Sequence, residues 1–544
     1  MSAYEDFKEN IRAGAFVRAS DTVQIIRSEQ GADKDAWIFD FRAIMLQPAT
    51  LDRYADIFWE KYGSQYPFQV GGLETASIPL IAAIVMKSVE RKTPVNGFYI
   101  RKSRKRQGLT KQIEGALTRD PIILVDDLTN SGQTFDKQIK ILANLGARVN
   151  DIFVLLSFRA PDAYTFMTKA GVRFESLFTL KDFGLPLLEK SADSPGDPFV
   201  ERWRYAAPAP GHHVIVQKSA PVLFKDLVLF GCDDGFFRAL EQESGALRWQ
   251  YKIGKHPLGK AILSSPIIRN GIVFFGAYDG CVYALDARTG SKKWIYAESD
   301  WVGSSPDIDD THGLVFVGTE YGLLGKRGGI VALDIKNGAE VWHARHRELT
   351  HGSPIYIKEE NIVVIGSNDG ASYAYNATSG DLMWRHQTGG DIKTRPAYDK
   401  KRNEVLVTSL DGSLYALAAR TGIPRFAFET LGIYSIPLID GDTAYVSSLD
   451  KNLYAIDLSS GEKKWSFETR GRIFASPILC DGSLWIGSND GRLYELDPAR
   501  GTLRNFFQTT ERVVNAIAYN STSKRFFVPT SANELYCIER NPRQ

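Results

Sequence analysis

Apolar residues recur at helical spacing over residues 51–61 (LDRYADIFWEK) and 77–90 (SIPLIAAIVMKSVE). Between and after these stretches lie short apolar runs of strand length, at 69–70, 98–100, 122–125 and 152–156. This alternation predicts βαβ units and a parallel sheet for residues 1–190. The text then changes to SADSPGDP and AAPAPG, and proline–glycine clusters of this kind mark a linker, placed at 191–211. From 212 to 544 a different pattern takes over. Short β-patterned stretches separated by turn residues repeat about every 40 residues.

Seven turn glycines anchor the repeat: Gly245, Gly290, Gly338, Gly380, Gly422, Gly461 and Gly501. Four residues after each stands Trp249, Trp294, Trp342, Trp384, Phe426, Trp465 or Asn505. Before each lies a strand of the type VYALDARTG or LYAIDLSSG. A four-stranded unit of this size cannot bury both of its faces alone, so the units must stack radially into a β-propeller. The competing reading, a β-sandwich with accidental similarity, does not account for a period that persists to the end of the chain. The last copy stops at LYCIE without its final strand, and ERWRYAAP at 201–208 reads like the final strands KKWIYAES and KKWSFETR. Residues 201–206 are therefore expected to complete an eighth blade and remove a free sheet edge. The fold class expected is an α/β domain with a parallel sheet followed by an all-β eight-bladed propeller. Each tryptophan is expected to dock between blades as packing.

Composition changes this picture little. The chain of 544 residues has 24% charged residues and a net charge of +2, which gives no global preference for nucleic acid. No apolar run reaches the ~20 residues of a membrane span, and the polar start, MSAYEDFKENIRAG, lacks the apolar region of a secretory signal. A cytoplasmic protein is expected. The four cysteines, Cys232, Cys281, Cys480 and Cys537, lie far apart and are expected to be reduced. His343, His346 and His351 form no closed ligand set, so no protein-bound metal is expected there.

The segment with chemistry is PIILVDDLTNSGQTFDKQIKILANLGARV, residues 121–149. A buried strand ends in two carboxylates, Asp126 and Asp127. Small and hydroxyl residues follow (Thr129, Asn130, Ser131, Gly132, Gln133, Thr134), and a helix starts near Phe135 with Ile139, Leu142 and Leu145 expected on one face. Small residues let backbone N–H groups approach an anion, hydroxyls donate, and a helix N-terminus adds partial positive charge. Two carboxylates can accept hydrogen bonds from vicinal hydroxyls such as those of a ribose. This is a phosphate cradle at the place where open α/β sheets bind ligands.

The run D-D-L-x-x-S-G-x-T between strand and helix resembles the signature of type I phosphoribosyltransferases. GGLETASIPLIAA (71–83) is similar to the pyrophosphate loop of the orotate phosphoribosyltransferases, and FYIRKSRKRQGLTKQIEG (98–115) to their flexible catalytic loop. Arg159 and SLFTLKDF (176–183) resemble the segment that reads the base. This likeness spans about residues 10–190. It implies ribose binding by Asp126 and Asp127, and 5′-phosphate binding by Thr129, Asn130, Ser131, Gly132, Gln133 and Thr134. It further implies diphosphate binding by Gly72, Glu74 and Thr75, and leaving-group neutralisation by Arg101, Lys102 and Lys105. The substrates implied are phosphoribosyl pyrophosphate and a nucleobase-like acceptor, with magnesium bridging the diphosphate and the ribose hydroxyls. A homodimer follows from the family's habit of lending this loop to the neighbouring subunit. By itself the basic loop reads as a solvated surface in preference to a small nucleic-acid patch; beside the cradle, a diphosphate clamp is the better reading.

The chain also departs from that family. The loop histidine falls at Gln107, the preceding acidic position at Arg106, and a lysine of the base-reading segment near Glu29. The A-x-D-x-x-[TS]-G-x-x-x-W spacing of the C-terminal repeats is similar to the pyrroloquinoline-quinone-type propeller repeat, found also in outer-membrane-assembly propellers. Quinone enzymes of that type carry adjacent cysteines and a central calcium site; no two cysteines adjoin here, so no quinone is expected. Two functions remain open: a phosphoribosyltransferase whose propeller is a protein-interaction platform, or a non-catalytic sensor of phosphoribosyl pyrophosphate or nucleotide coupled to a propeller. A third reading makes the propeller an assembly scaffold with a relict N-terminal domain.

Overall fold

Strand-length runs separated by amphipathic helices require a sheet with helices packed on it, and the computed structural model has one. It describes residues 3–18, 37–101, 112–130, 132–164, 167, 170–188, 198–207, 219–254, 261–322 and 325–541. The chain divides into two units, Met1–Pro195 and Gly196–Gln544.

In the first unit, α1 (Ala3–Gly14), β1 (Phe16–Arg18) and β2 (Trp37–Phe39) precede the main sheet. There follow α2 (Pro48–Tyr62), β3 (Gln69–Gly71), α3 (Ser77–Glu90), β4 (Asn96–Ile100), β5 (Ile113–Gly115), β6 (Ile122–Thr129), α4 (Gln133–Asn144), β7 (Val149–Ser157) and β8 (Arg173–Thr179). The sheet order is β5-β4-β3-β6-β7-β8, with β4, β3, β6, β7 and β8 parallel and β5 antiparallel at one edge. Helices cover both faces, which is why β6 reads as an unbroken apolar run: its residues 122–125 are at most 1% exposed. Pro48 suits the first turn of α2, where its missing N–H is no loss. This helix packs Tyr54, Phe58 and Tyr62 against Phe153 of β7.

One expectation fails in α4. Its buried face carries Phe135, Gln138, Ile141 and Leu142, with Ile139 partly buried, whereas Leu145 is 59% exposed. The helix ends at Asn144, and Gly146, at φ 72°, turns the chain away one residue after Leu145, so the helical spacing no longer applies there.

The second unit is a ring of eight four-stranded antiparallel sheets. Blades 1 to 7 begin at Val222, Ile267, Asp307, Ile355, Ala397, Leu438 and Ile478. Blade 8 has three strands from Ala518–Asn520, Arg525–Pro529 and Glu534–Arg540, and its outermost strand is Phe199–Ala206. In each blade from 1 to 6 the outermost strand lays its Trp or Phe on the turn glycine of the next blade, and Trp203 of blade 8 does the same to Gly245 of blade 1. At Gly422, φ is +68° and a Cβ would lie 2.6 Å from the Trp384 ring, so both conformation and space demand glycine. The Trp384 indole N–H donates to the carbonyl of Ala419 at 2.8 Å, and Trp203, Trp294 and Trp342 make the equivalent bond. Trp384→Ala is expected to cost ~3–5 kcal/mol through the cavity and the lost bond; a thermal melt of the full chain checks this.

A second repeated contact braces the turns. Asp369, Asp411, Asp450 and Asp490 each accept a hydrogen bond from the tyrosine four residues on, at 2.6–2.8 Å.

The three histidines considered for metal binding have separate partners. His346 is buried, with Nδ1 2.8 Å from the Thr350 hydroxyl and Nε2 3.0 Å from that of Tyr375. His343 lies beside Tyr321, and His351 lies between Glu320 and Asn368.

Candidate active site

Because β3, β4, β6 and β7 run parallel, the segments that follow them emerge at one edge of the sheet. That geometry brings together positions 72–75, 101, 126–130, 132–134 and 159. The stretch of the basic loop that carries Lys102 and Lys105 lies outside the described residues, as do Ser131, Gln107 and Glu29.

At the end of β6 the two carboxylates turn partly back on the backbone. Asp126 accepts the N–H of Asp127 at 3.0 Å, and Asp127 accepts the N–H of Leu128 at 2.7 Å. Burial pushes the Asp127 carboxyl above its ordinary range, and the Leu128 N–H only partly offsets this. The Tyr54 hydroxyl is buried within electrostatic reach of both carboxylates and makes no hydrogen bond among the described residues. A raised native pKa means that this group favours folding below the ordinary carboxylate range and opposes it once pH rises through the native value. Asp127→Asn is therefore expected to melt higher than the parent at pH 7, with the gain fading near pH 4; melts at the two pH values check it.

β6 extends one residue into the predicted cradle. Thr129 belongs to the strand, is 4% exposed, and its carbonyl accepts the N–H of Phe158 at 3.0 Å. Arg159 clamps the start of the loop: its Nε lies 3.0 Å from the carbonyl and 3.1 Å from the side-chain oxygen of Asn130. Gly132 adopts φ +74° as the residue before α4, and among the described residues no side chain caps that helix. The first turn of α4, with its partial positive charge, follows β6 after three residues. Thr134 is exposed in that turn.

The second loop follows β3. A Cβ on Gly72 would lie 2.4 Å from the Ser77 side chain and 2.6 Å from the carbonyl of Val125, so only glycine lets this loop lie against β6. The loop is tied to β4, with Ile100 donating to Gly72 at 2.7 Å and Glu74 donating to Ile100 at 2.9 Å. The Glu74–Thr75 peptide is cis, and Thr75 is exposed. Arg101, expected to face a leaving group, lies 3.6 Å from the Glu114 carboxylate and 4.0 Å from that of Glu74. Glu74 was expected at the diphosphate rather than beside Arg101, and Glu114 gives no signal until the β4–β5 hairpin brings residue 114 beside residue 101.

Comparison with known proteins divides the chain in the same way. The family model for outer membrane protein assembly factor BamB matches residues 200–344, 326–432 and 429–542. Orotate phosphoribosyltransferase from Bradyrhizobium sp. strain BTAi1 is 30% identical over 181 residues, which is 32% of this chain and 94% of the relative. The chain belongs to both families. A second orotate phosphoribosyltransferase, from Bradyrhizobium sp. strain ORS 278, is 29% identical over 32% of this chain and 94% of its own. The crystal structure of BamB from Moraxella catarrhalis matches with a TM-score of 0.51 and 20% identity, over 64% of this chain and 99% of that one. At that identity the likeness shows the propeller fold alone. Among the described residues, no helix is long and apolar enough to cross a membrane.

Proposed function

We propose that the N-terminal unit is a phosphoribosyltransferase that transfers ribose 5-phosphate from phosphoribosyl pyrophosphate to a nucleobase-like acceptor. The observation that supports this most directly is the placing of two carboxylates beside an uncapped helix N-terminus, with a glycine-dependent loop against the same strand. Asp126 and Asp127 hold the ribose hydroxyls. The first turn of α4, with Asn130, Ser131, Gly132, Gln133 and Thr134, takes the 5′-phosphate. Gly72, Glu74 and Thr75 lie against the diphosphate, and Arg159 and its neighbours face the acceptor. Displacement at C1 develops positive charge on the sugar and negative charge on the departing diphosphate, so catalysis is positioning plus charge neutralisation. Lys102, Lys105 and Arg101 supply the neutralising charge and exclude water.

Magnesium fits this site as an ion carried by the substrate. Among the described residues no three His, Cys, Asp or Glu side chains group to hold a metal, while the diphosphate and ribose oxygens supply hard ligands. Bound with the substrate, it would offset charge on the leaving group, while Asp126 and Asp127 would orient the ribose hydroxyls.

The test is pyrophosphate release by the purified full chain with magnesium, phosphoribosyl pyrophosphate and a panel of bases. Lys105→Ala is expected to lower turnover ~10²–10³-fold with a smaller effect on substrate affinity, because its charge matters most in the transition state. Orotate is expected to be a poor acceptor, since Glu29 stands in the sequence near the family's base-reading lysine, and a carboxylate in that role repels orotate's own. Fast release with orotate refutes the acceptor claim. A second reading, a non-catalytic sensor, draws support from Arg101, whose cation already faces two carboxylates; no release with any base, despite tight binding, selects it. We place the protein in the cytoplasm as a homodimer through this unit, with the propeller engaging a protein partner.

A further inference from the structure

Blade 3 departs from the other blades in one hairpin. Its second and third strands, Leu314–Tyr321 and Arg327–Asp334, have eight residues each, whereas the second strand has five in every other blade. The extension is firmly held. The loop arriving from blade 2 pairs with it, Trp301 donating to Glu320 at 3.2 Å and Glu320 to Trp301 at 3.1 Å. The Gly322 N–H donates to the Asp300 carboxylate at 2.9 Å, and the Trp301 ring lies where a Cβ on Gly322 would stand.

This braced extension carries cations. Arg327 lies opposite Tyr321, and Gly329, two residues on, lies opposite Arg345 of the outermost strand. Side chains two apart along a strand share a face, as do direct cross-strand partners. Arg327 and Arg345 therefore project from one face, with no side chain at Gly329 between them. Arg347 follows Arg345 by the same two-residue step, just past the strand end at His346, and Lys326 adjoins Arg327. All four cations are exposed. Among the described residues, none of their side chains makes a hydrogen bond or an ion pair. Glu340, on the same outermost strand, instead accepts the Tyr296 hydroxyl at 2.6 Å. Exposed arginines elsewhere on the ring have partners, as Arg248 has Glu241 at 2.8 Å and Arg504 has Asp497 at 2.6 Å. The blade framework does not ask for these charges. The places of Arg345 and Arg347 hold Ala297 and Ser299 in blade 2 and Gln387 and Gly389 in blade 4, and no other blade has a cation at both. Unpaired like charges this close oppose folding, a cost that an external anion offsets.

We infer that this face of blade 3 binds an acidic protein segment with carboxylates at alternate positions of an extended stretch. Alternate side chains of such a stretch repeat every ~7 Å. That is the step from Arg345 to Arg347, and each guanidinium presents a fork that fits one carboxylate. Nucleic acid fits less well. It is held by a track of several phosphate contacts, and one hairpin on a chain of net charge +2 makes a short track. The inference rests on the reading of the propeller as the part that engages a protein partner, and supplies that partner's chemistry and the surface it meets.

Fluorescence anisotropy with the full chain tests it. The probe is a labelled peptide of alternating Glu and Ser; a peptide of alternating Lys and Ser and an oligothymidylate of equal length serve for comparison. The Glu–Ser peptide is expected to bind, and more weakly as salt rises. Arg345→Gln with Arg347→Gln should weaken it about tenfold, whereas Lys292→Gln with Lys293→Gln, on the rim of blade 2, should not. The arginine variant should melt no lower than the parent, since the charges removed repel each other. Where it does melt lower, Arg327→Gln, outside the outermost strand, should still weaken the peptide. Unchanged affinity in these arginine variants, or preference for the Lys–Ser peptide, overturns the proposal and leaves the propeller free to engage a partner elsewhere. Oligothymidylate bound more tightly than the Glu–Ser peptide, and lost in the arginine variant, assigns the surface to nucleic acid and overturns it too. Failure of both peptides to bind overturns it and counts against the platform reading as well.

Discussion

Asp126→Asn and Asp127→Asn together are expected to weaken phosphoribosyl pyrophosphate binding by ~10²–10⁴-fold, measured by calorimetry with magnesium present. Charged hydrogen bonds to hydroxyls contribute ~1.5–3 kcal/mol each, and two are lost. The structure adds a control that a fold-level effect would not reproduce. Because the Asp127 carboxylate opposes folding at neutral pH, the variant should bind worse while melting no lower than the parent. A binding site held together at a cost to stability behaves in this way. Unchanged affinity counts against the ribose assignment. Lost affinity with a lowered melting midpoint would trace to damage of the β6 terminus instead. Chelating magnesium should mimic the loss in the parent, because the ion enters with the substrate.

The parts of the fold that were legible in the sequence are those where one physical rule acts alone. Two-sided burial makes β6 a continuous apolar run, and the turn glycines with their following aromatics are one repeated contact seen seven times over. Legibility failed where tertiary contacts override local pattern. Leu145 continues a helical spacing that the chain abandons one residue earlier. Thr129 looks like a loop hydroxyl, but pairing with β7 keeps it in the strand. Arg101 reads as a cation awaiting an anion, and only folding reveals Glu74 and Glu114 beside it. The buried Tyr54 hydroxyl and the Asn130–Arg159 clamp had no sequence signal, since each joins residues at least 29 positions apart or acts through space alone.

The seam of the ring should be its most sensitive point, and Arg540→Ala the substitution that exposes it. Between blades 7 and 8 the aromatic dock is missing, because Asn505 stands where other blades carry Trp or Phe. Its place is taken by charge. Arg540, on the last described strand of the C-terminal end, lies 3.0 Å from the Glu495 carboxylate and 3.2 Å from that of Asp481. The same guanidinium covers Trp485 at 5.5 Å and Phe199 at 5.9 Å, the latter on the strand that arrives from the other end of the unit. Glu495 is 2% exposed; burial disfavours its charge, but hydrogen bonds from Arg540, Ser483 and Asn505 outweigh that and hold its carboxyl below the ordinary range. Removing the cation leaves a buried carboxylate without its main partner, which typically costs ~3–5 kcal/mol. In the parent, the stabilisation from this pair is present above the ordinary Glu range and lost as pH falls through the lowered native value. Arg540→Ala should therefore lower the melting midpoint strongly at pH 7 and much less near pH 4, where Glu495 can take up a proton. Adding Glu495→Gln to Arg540→Ala should recover much of the loss at pH 7. If the double variant is as unstable as the single one, packing over Trp485 and Phe199, rather than the charge, holds the seam.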